Sequence, residues 1–351
     1  VYINKALFIH LNENYNYLQN SLILVFMDSK ELQSIIPIPR IWENLEELEN
    51  RLIQISSSSD SFLTEISQYL ISAGGKRFRP LIALLAGELG DGDRKKVIDA
   101  GVSVELIHLG SLYHDDVIDD ASTRRGVVST NKKWNSTLSI LAGDYLLARS
   151  SELAAESLGL ESVKLLASTY AQLVEGQTKE VQYSYNTDHG TEDYMKIIEG
   201  KTASLIRTSA RLGSMASNSK QDSITAISEW AWHNGIIFQI TDDILDLSSD
   251  EQTLGKPSGN DILEGTYTLP VLIALQKNPE GIKKILDEIK DNKTNLEDVI
   301  SEFNNEEIVS ETKLFLKSHI KKSENAAMKI EDESIKNILL DLNEYLVERS
   351  N

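Results

Sequence analysis

The segments YHDDVIDD at 113–120 and FQITDDILD at 238–246 decide the fold expected for this chain. Each contains the pattern DDxxD among apolar residues, which predicts a helix packed in a core. On a helix, residues four apart share a face, so Asp115 lies near Asp119, and Asp242 near Asp246. Like charges at this spacing repel, and burial raises the cost, whereas a bound cation would remove the conflict. Oxygen-only ligands favour Mg²⁺, which leaves several positions to water and substrate phosphates. Two clusters around a diphosphate are therefore the first hypothesis.

The composition is that of a globular protein that binds no nucleic acid. The chain has 351 residues, of which 41% are hydrophobic and 25% charged, and its net charge is −19. This acidic excess argues against nucleic-acid binding. The absence of cysteine excludes disulfides, thiolate metal sites and cysteine nucleophiles, and it fits a cytoplasmic protein. No stretch is long and apolar enough to predict a transmembrane segment.

Helical spacing dominates the chain. Apolar residues recur at intervals of three and four, for example over 98–113, 165–174 and 227–240. Glycine-rich or polar turns at 74–75, 90–93, 188–190 and 255–259 separate such stretches, and 291–296 is another loop. Residues 56–59 are predicted to precede a helix capped by Asp60 or Ser61. The pattern predicts an all-α protein with many helices around a central cavity.

The predicted domain, a single large helical bundle, covers residues 45–351. Residues 1–44 are predicted to be an N-terminal extension that is partly disordered. In this extension Met27 is one candidate for the true start of translation, and a flexible native N-terminus is the alternative.

The order of the motifs resembles that of the trans-type polyprenyl diphosphate synthases, especially long-chain bacterial members of the actinobacterial type. The motifs are GGKRFRP at 74–80, ELIH at 105–108, SLYH at 111–114, RRG at 124–126, GD at 143–144, KT at 201–202, FQ at 238–239 and GKP at 255–257, with the two DDxxD patterns. One DDxxD alone is weak evidence, because acidic helix faces are common. The resemblance implies the isoprenoid synthase fold and a homodimer.

The resemblance also implies a reaction, in which isopentenyl diphosphate is joined to an allylic diphosphate. The allylic C–O bond ionises, the carbocation alkylates the isopentenyl double bond, and a proton is lost. About three Mg²⁺ ions would stabilise the leaving diphosphate. The implied metal ligands are the aspartates of both motifs: Asp115 and Asp119 with Asp116 in support, and Asp242 with Asp243 and Asp246 in support or bound through water.

The resemblance divides the basic residues between the two diphosphates. Isopentenyl diphosphate would be bound by Lys76, Arg79, His108 and Arg125. The allylic diphosphate would be bound by Arg124, Lys201, Thr202, Gln239 and Lys256, and the implied catalytic residues are Lys201, Thr202, Gln239 and Asp243. Arginine suits phosphate because its planar fork donates two hydrogen bonds at once. Without the motifs, His108 would be interpreted as a core histidine, and Lys76 and Arg79 as surface charges. Arg77 is the residue of this segment least expected to bind substrate.

Two positions depart from the family pattern. Thr266 stands in the segment EGTYTLP, where members often carry a basic residue, and Asn260 stands where some carry lysine. Either change would weaken binding of the allylic diphosphate, although Lys256 remains.

Three residues on the first helix are expected to set product length: Ile107, Gly110 and Ser111. In short-chain members an aromatic residue near the last two positions closes the tunnel, whereas both residues are small here. One helical turn advances about 5.4 Å, on the order of one isoprene unit, so roughly C30 to C50 products such as quinone side-chain precursors are expected. The alternative is that Gly110 and Ser111 only allow tight helix packing.

Several other functions stay open. A short-chain synthase making farnesyl or geranylgeranyl diphosphate would differ only in product length. A terpene cyclase normally lacks an isopentenyl site, against which Lys76, Arg79 and His108 argue. A non-catalytic helical partner subunit typically loses one aspartate motif, and a generic acidic bundle would bind Mg²⁺ without diphosphate. Transient membrane contact is expected during product release.

Overall fold

The computed structural model describes residues 29–248 and 259–348, which form helices and one short β-hairpin. The predicted all-α fold is confirmed. The chain divides into two compact units. Unit 1 comprises the described residues up to Leu166 together with Leu212–Ser219, and unit 2 comprises Ala167–Arg211 and the described residues from Lys220 onward. The candidate start at Met27 lies outside the described residues.

Unit 1 is built from helices that begin within the segment predicted to be an extension. Their bounds are α1 Ser29–Ile35, α2 Pro39–Ser56, α3 Ser61–Ser72, α4 Phe78–Gly87, α5 Arg94–Ile118, α6 Thr130–Lys133, α7 Ser136–Leu153 and the first residues of α8 Leu160–Tyr183, with a π-helical segment at Ala154–Leu158. The predicted cap is present, since the Asp60 carboxylate accepts hydrogen bonds from Phe62 N at 2.8 Å and Leu63 N at 3.3 Å.

A two-stranded hairpin interrupts the helices of unit 1. Strands β1 Thr123–Arg124 and β2 Val127–Val128 pair antiparallel. The two residues between them have positive φ, 53° at Arg125 and 75° at Gly126, as a type I′ turn requires. Strands of two residues leave no alternation in the sequence, so the hairpin was not predicted.

Unit 2 has its own core. Its helices are the rest of α8, α9 Thr191–Ile198, a π-helical segment Glu199–Ala203, α10 Ser204–Ala216 in part, α11 Gln221–Ser248, α12 Asn260–Leu263, α13 Leu269–Lys277, α14 Pro279–Lys290, α15 Leu296–Val299, α16 Ser301–Asn304, α17 Glu306–Ala327 and α18 Glu333–Glu348. Ile236, Ile240 and Leu269 are fully buried in this core. Across 29–248 and 259–348, every helix is too short or too polar to cross a bilayer.

Candidate active site

The first aspartate motif lies at the C-terminal end of α5. The helix ends at Ile118, and Asp119 follows as its C-cap, with its N–H donating to Asp115 O at 2.8 Å. The two carboxylates are therefore one turn apart, as the spacing predicts. Asp115 is half-buried and Asp119 is exposed, so the pair lies where solvent and a hydrated cation have access.

Asp116, between these two residues, is fully buried and bound to Arg124. Its Oδ1 accepts from Arg124 Nε at 2.6 Å, and its backbone carbonyl accepts from Asn131 Nδ2 at 2.9 Å. Within the described residues its Oδ2 has no hydrogen-bond partner. Burial raises the pKa of Asp116, and the Arg124 charge opposes that rise. The structure thus joins a predicted metal residue to a predicted allylic diphosphate residue.

Arg77 is bound by carboxylates of the fold. It is buried and donates to Glu49 at 2.5 and 3.1 Å and to Glu105 at 3.1 Å. Burial alone would lower the pKa of Arg77, but the charges of Glu49 and Glu105 outweigh it and raise the pKa. This arginine therefore stays charged, and its two carboxylate partners hold its side chain in place.

Arg125 lies against the glycine-rich loop. Its guanidinium donates to Leu70 O at 3.1 Å and to Gly74 O. A Cβ atom at position 75 would lie 2.8 Å from the guanidinium carbon, and Gly75 has a φ of 151°. Burial lowers the pKa of Arg125 to about 10, with the Glu105 charge opposing. Glycine at position 75 is what allows Arg125 to reach this place.

Arg79 and His108 complete a cationic cradle. The buried Nε of Arg79 has no hydrogen-bond partner within the described residues, and burial lowers the pKa of Arg79. The pKa of His108 is well below its ordinary value, first because of burial and then because of the Arg79 and Arg125 charges. Three of the predicted isopentenyl diphosphate residues are therefore together, while Lys76 is exposed on the loop before them. Such a site would gain most from a dianionic ligand.

The second aspartate motif lies inside α11 rather than at its end. Asp243 is 1% exposed and accepts from Tyr194 Oη at 2.5 Å and from Gln239 Nε2 at 3.0 Å. Gln239 Oε1 in turn accepts from Thr202 Oγ1 at 2.8 Å. Burial raises the pKa of Asp243 to about 8, and hydrogen bonds from Tyr194 and Gln239 oppose that rise. The predicted catalytic residues Thr202, Gln239 and Asp243 thus form one hydrogen-bonded chain.

Lys201 and Thr202 belong to the π-helical segment Glu199–Ala203. Segments of this kind occur often at functional sites. Two glycines let neighbouring helices approach it: a Cβ at Gly176 of α8 would lie 2.6 Å from Lys201 N, and one at Gly235 of α11 would lie 2.7 Å from Ala203 Cα. Lys201 is paired with Glu180 of α8. The close approach of α11 brings Gln239 within reach of Thr202.

The segment before α13 closes on the second motif. Gly259 N donates to Asp246 O at 2.7 Å, and Asp261 N lies 3.4 Å from Asp246 Oδ2. The Asp261 charge contributes, after burial, to the raised pKa of Asp243. Of the two departures from the family pattern, Asn260 donates to Glu264 Oε1 at 2.8 Å and Thr266 N donates to Asp261 O at 2.8 Å. Lys256 and the motif at 255–257 lie outside the described residues.

Sequence reasoning missed three residues of this site: Tyr194, Glu180 and Asp261. Tyr194 precedes Lys201 by seven residues, which is close to two helical turns, so a helix-face argument offered a signal for it. Glu180 and Asp261 are separated in sequence from Lys201 and Asp243 and had no local signal.

The aspartates suit a cation that keeps most of its water and substrate ligands. In the described part of the chain, no three His, Asp or Glu side chains are arranged to hold a metal ion by themselves. Asp115 and Asp119 nevertheless form an oxygen-only pair at a solvent-accessible helix end, which fits Mg²⁺ bound by one or two carboxylates and by phosphates.

The three residues expected to set product length lie along α5. Ile107 and Ser111 are buried, and Ser111 Oγ donates to His108 O at 2.8 Å. A Cβ at Gly110 would lie 3.0 Å from Gly143 O and 3.1 Å from Leu147 Cγ of α7. A side chain at position 110 would therefore meet α7, which favours the packing role stated as the alternative, and the role of Gly110 in product length stays a prediction.

Comparison with known proteins adds to this geometry. Residues 60–306 match the family model described as "Polyprenyl synthetase". The chain is 43% identical over 221 residues to nonaprenyl diphosphate synthase of Mycobacterium tuberculosis, covering 63% of this chain and 66% of that protein. It is 39% identical over 237 residues to heptaprenyl diphosphate synthase component 2 of Bacillus subtilis, covering 68% of each. These alignments span about two thirds of the curated relatives' length.

A solved structure extends the likeness over most of the fold. Geranylgeranyl pyrophosphate synthase of Corynebacterium glutamicum, in complex with calcium and isoprenyl diphosphate, matches with a TM-score of 0.76 and 34% identity. The match covers 89% of this chain and 97% of that one.

Proposed function

This chain belongs to the polyprenyl synthetase family, and we propose that it is a prenyltransferase that condenses isopentenyl diphosphate onto an allylic diphosphate. The observation that carries the proposal is the cationic cradle of unit 1, where Arg79 has a buried Nε without a partner among the described residues. Partly buried like charges such as these are costly unless an anion binds there. The cradle also argues against a terpene cyclase, and the presence of both aspartate motifs argues against a non-catalytic subunit.

Unit 1 binds the diphosphate of isopentenyl diphosphate. Arg79 and Arg125 present guanidinium groups, and Arg77, held by Glu49 and Glu105, adds a fixed positive charge. The low pKa of His108 keeps its imidazole neutral at physiological pH, so it offers one N–H without a further charge. The exposed Lys76 adds a mobile charge at the entrance of the cradle.

Unit 2 serves the allylic substrate. Lys201 and Thr202 bind its diphosphate, together with Lys256. Asp115, Asp119, Asp242 and Asp246 would hold Mg²⁺, which when bound neutralises the charge that develops on the leaving diphosphate. The allylic C–O bond breaks with its electron pair on the diphosphate. The carbon atom left behind bonds to the isopentenyl double bond, and loss of a proton restores an alkene.

The hydrogen-bonded chain of unit 2 gives Gln239 its orientation in this reaction. Its amide nitrogen donates to Asp243 and its amide oxygen accepts from Thr202. The oxygen ends of Gln239 and Thr202 are thereby fixed dipoles, which favour nearby positive charge such as that of the allylic cation.

We further propose a long-chain product. Two relatives named for nonaprenyl and heptaprenyl diphosphate support it, and the small Ser111 is consistent with an open path along α5. The second candidate is a geranylgeranyl diphosphate synthase, favoured by the solved structure of that name. The packing role of Gly110 removes one argument for the longer product without supporting the shorter one.

Assembly has two candidates as well. A homodimer follows from the family resemblance. The name "component 2" of the Bacillus subtilis relative instead favours a partner subunit. The lack of cysteine supports the expected cytoplasmic location.

Labelled isopentenyl diphosphate, Mg²⁺ and allylic primers of several lengths test the proposal, with products separated by length. We expect incorporation by the chain alone and a long main product. A product that stops at geranylgeranyl length would select the second candidate. Absence of incorporation with every primer, with and without an added partner subunit, would refute the prenyltransferase. Light scattering at micromolar concentration distinguishes a homodimer from a monomer.

A further inference from the structure

Tyr185 lies in the linker between α8 and α9 in a conformation that tyrosine rarely adopts. Its φ is 55°, in the left-handed region that favours glycine and asparagine. A bulky residue keeps such a conformation only where its surroundings fix it. The contacts of Tyr185 therefore indicate what this linker does.

Tyr185 makes two hydrogen bonds with one short segment, Leu263–Gly265, at the end of α12. Its backbone N–H donates to Gly265 O at 2.9 Å, and its hydroxyl donates to Leu263 O at 2.9 Å. Its ring lies so close that a Cβ at Gly265 would be 2.6 Å from ring carbons. Gly265 itself has a φ of 79°. Lys290 Nζ of α14 lies 4.8 Å from the ring centroid and adds a cation–π contact.

The segment held by Tyr185 is the one that closes on the second aspartate motif. Gly265 N donates to Ile262 O at 3.0 Å and Thr266 N donates to Asp261 O at 2.8 Å, which ties the segment to α12. At the start of α12, Asp261 N lies 3.4 Å from Asp246 Oδ2. A shift of Leu263–Gly265 would therefore move both the amide that faces the Asp246 carboxylate and the Asp261 carboxylate beside Asp243.

We propose that Tyr185 is a positioning residue for the second aspartate motif: it fixes Leu263–Gly265, and through this segment it sets the orientation of Asp246 and Asp261 toward Mg²⁺ and diphosphate. The proposal rests on the proposed function, which makes Asp246 a metal residue. Tyr185 itself is 39% exposed and lies outside the hydrophobic core cluster of unit 2.

Substitution of Tyr185 tests this role. We expect Tyr185→Ala to raise the Mg²⁺ concentration for half-maximal rate about tenfold, as loss of a residue that orients metal ligands typically does. The rise in melting temperature produced by Mg²⁺ with inorganic diphosphate should shrink at the same Mg²⁺ concentration. Tyr185→Phe keeps the ring and the backbone contact and loses only the hydroxyl, so its effect should be smaller.

Two further variants make the test specific. Tyr183→Ala is the matched control, because Tyr183 stacks on His189 at the end of α8 with ring centroids 4.7 Å apart. It should leave the Mg²⁺ dependence unchanged. Gly265→Ala places a methyl group against the Tyr185 ring and should reproduce the Tyr185→Ala defect. The double variant should be no worse than Gly265→Ala alone, since both changes break the same contact.

Failure of the Tyr185 proposal can be distinguished from failure of the proposed function. A Tyr185→Ala protein that melts earlier but keeps the wild-type Mg²⁺ dependence of rate and melting temperature would reduce Tyr185 to a structural residue and overturn the proposal. If wild-type protein shows no prenyl transfer, the proposed function fails. The melting measurement with Mg²⁺ and diphosphate still decides the role of Tyr185, because it requires no turnover.

Discussion

The two DDxxD motifs share a pattern but differ in how their middle aspartate is stabilised. In unit 1, Asp116 is paired with the guanidinium of Arg124 at 2.6 Å. In unit 2, Asp243 accepts from the neutral donors Tyr194 and Gln239 at 2.5 and 3.0 Å. The first motif is thus built into a group of arginines, and the second into a network of neutral hydrogen bonds.

The helices also end differently. α5 stops at Ile118 inside the first motif, whereas α11 runs beyond the second to Ser248. The arginine compensates the charge of its aspartate, whereas neutral donors orient dipoles around the aspartate without adding charge. The two motifs therefore differ in the charge of the groups around their middle aspartates, and mutations of those groups can test whether their proposed roles differ as well.

The largest expected effect tests what the two motifs have in common. Asp115→Ala and Asp242→Ala should each lower turnover about 10²- to 10³-fold, because each removes a carboxylate that would hold the charge opposite the leaving diphosphate. Steady-state rates measure the loss, and circular dichroism should show an unchanged helical content. Removal of Mg²⁺ with a chelator should abolish turnover in the wild type.

Asp120→Ala is the matched control for this pair. Asp120 follows the first motif directly, is exposed and pairs with Lys132 at 2.6 Å. Its loss should leave turnover near the wild-type value. Well-folded Asp115→Ala and Asp242→Ala proteins with near wild-type activity would contradict the shared role of the motifs.

The second prediction sharpens the contrast between the partners of the middle aspartates. Arg124→Met leaves the fully buried Asp116 without its cation and should lower the free energy of unfolding by about 2–3 kcal/mol, less than a wholly buried pair because Arg124 is partly exposed. Tyr194→Phe leaves Asp243 with Gln239 as a donor and should cost about 1.5 kcal/mol. Urea denaturation at one pH measures both. Equal losses would remove the distinction between the two regions.

The third prediction separates the substrates. Arg79→Ala should raise the Michaelis constant for isopentenyl diphosphate, and Lys201→Ala that for the allylic primer, each by about 30-fold for a lost contact of about 2 kcal/mol. Lys164→Ala is a suitable control, since this exposed lysine pairs with Glu161 three residues away in the same helix. If Arg79→Ala impaired only the allylic primer, the assignment of the two regions would be reversed.

Much of the helical framework could be predicted from the sequence, while the roles of the site residues stay predictions. The Asp60 cap and the one-turn spacing of Asp115 and Asp119 are local patterns, and local patterns are visible in a sequence. The bond between Tyr194 and Asp243 joins residues 49 positions apart, so only tertiary packing reveals it. The left-handed Tyr185 breaks a local preference, and such exceptions are expected where distant contacts decide the conformation.

Glutamine and glycine show a further limit of helix-face arguments. Gln239 lies three residues before Asp242 and four before Asp243, so spacing alone puts it near both, and its amide donates to Asp243. Gly110 and Ser111 are neighbours on α5, yet one meets the backbone of α7 and the other bonds back to its own helix. Spacing narrows the choice of face, and the packed neighbour selects among residues on it.

The prediction with the smallest expected effect tests whether the first region, unlike the second, sets product length. Ser111→Phe should shorten the products while the first condensation is largely retained, because the residues proposed to bind the two diphosphates are unchanged. Its stability cost should be about 1 kcal/mol, at the low end for overpacking a helix interface.

Gly110→Ala is the informative partner, since its Cβ would press on Gly143 O of α7 at 3.0 Å. It should lower the melting temperature without changing product length. A stable Ser111→Phe enzyme with unchanged products would mean that α5 does not limit the chain at this turn, and the residue that does would have to be sought elsewhere along the growing product.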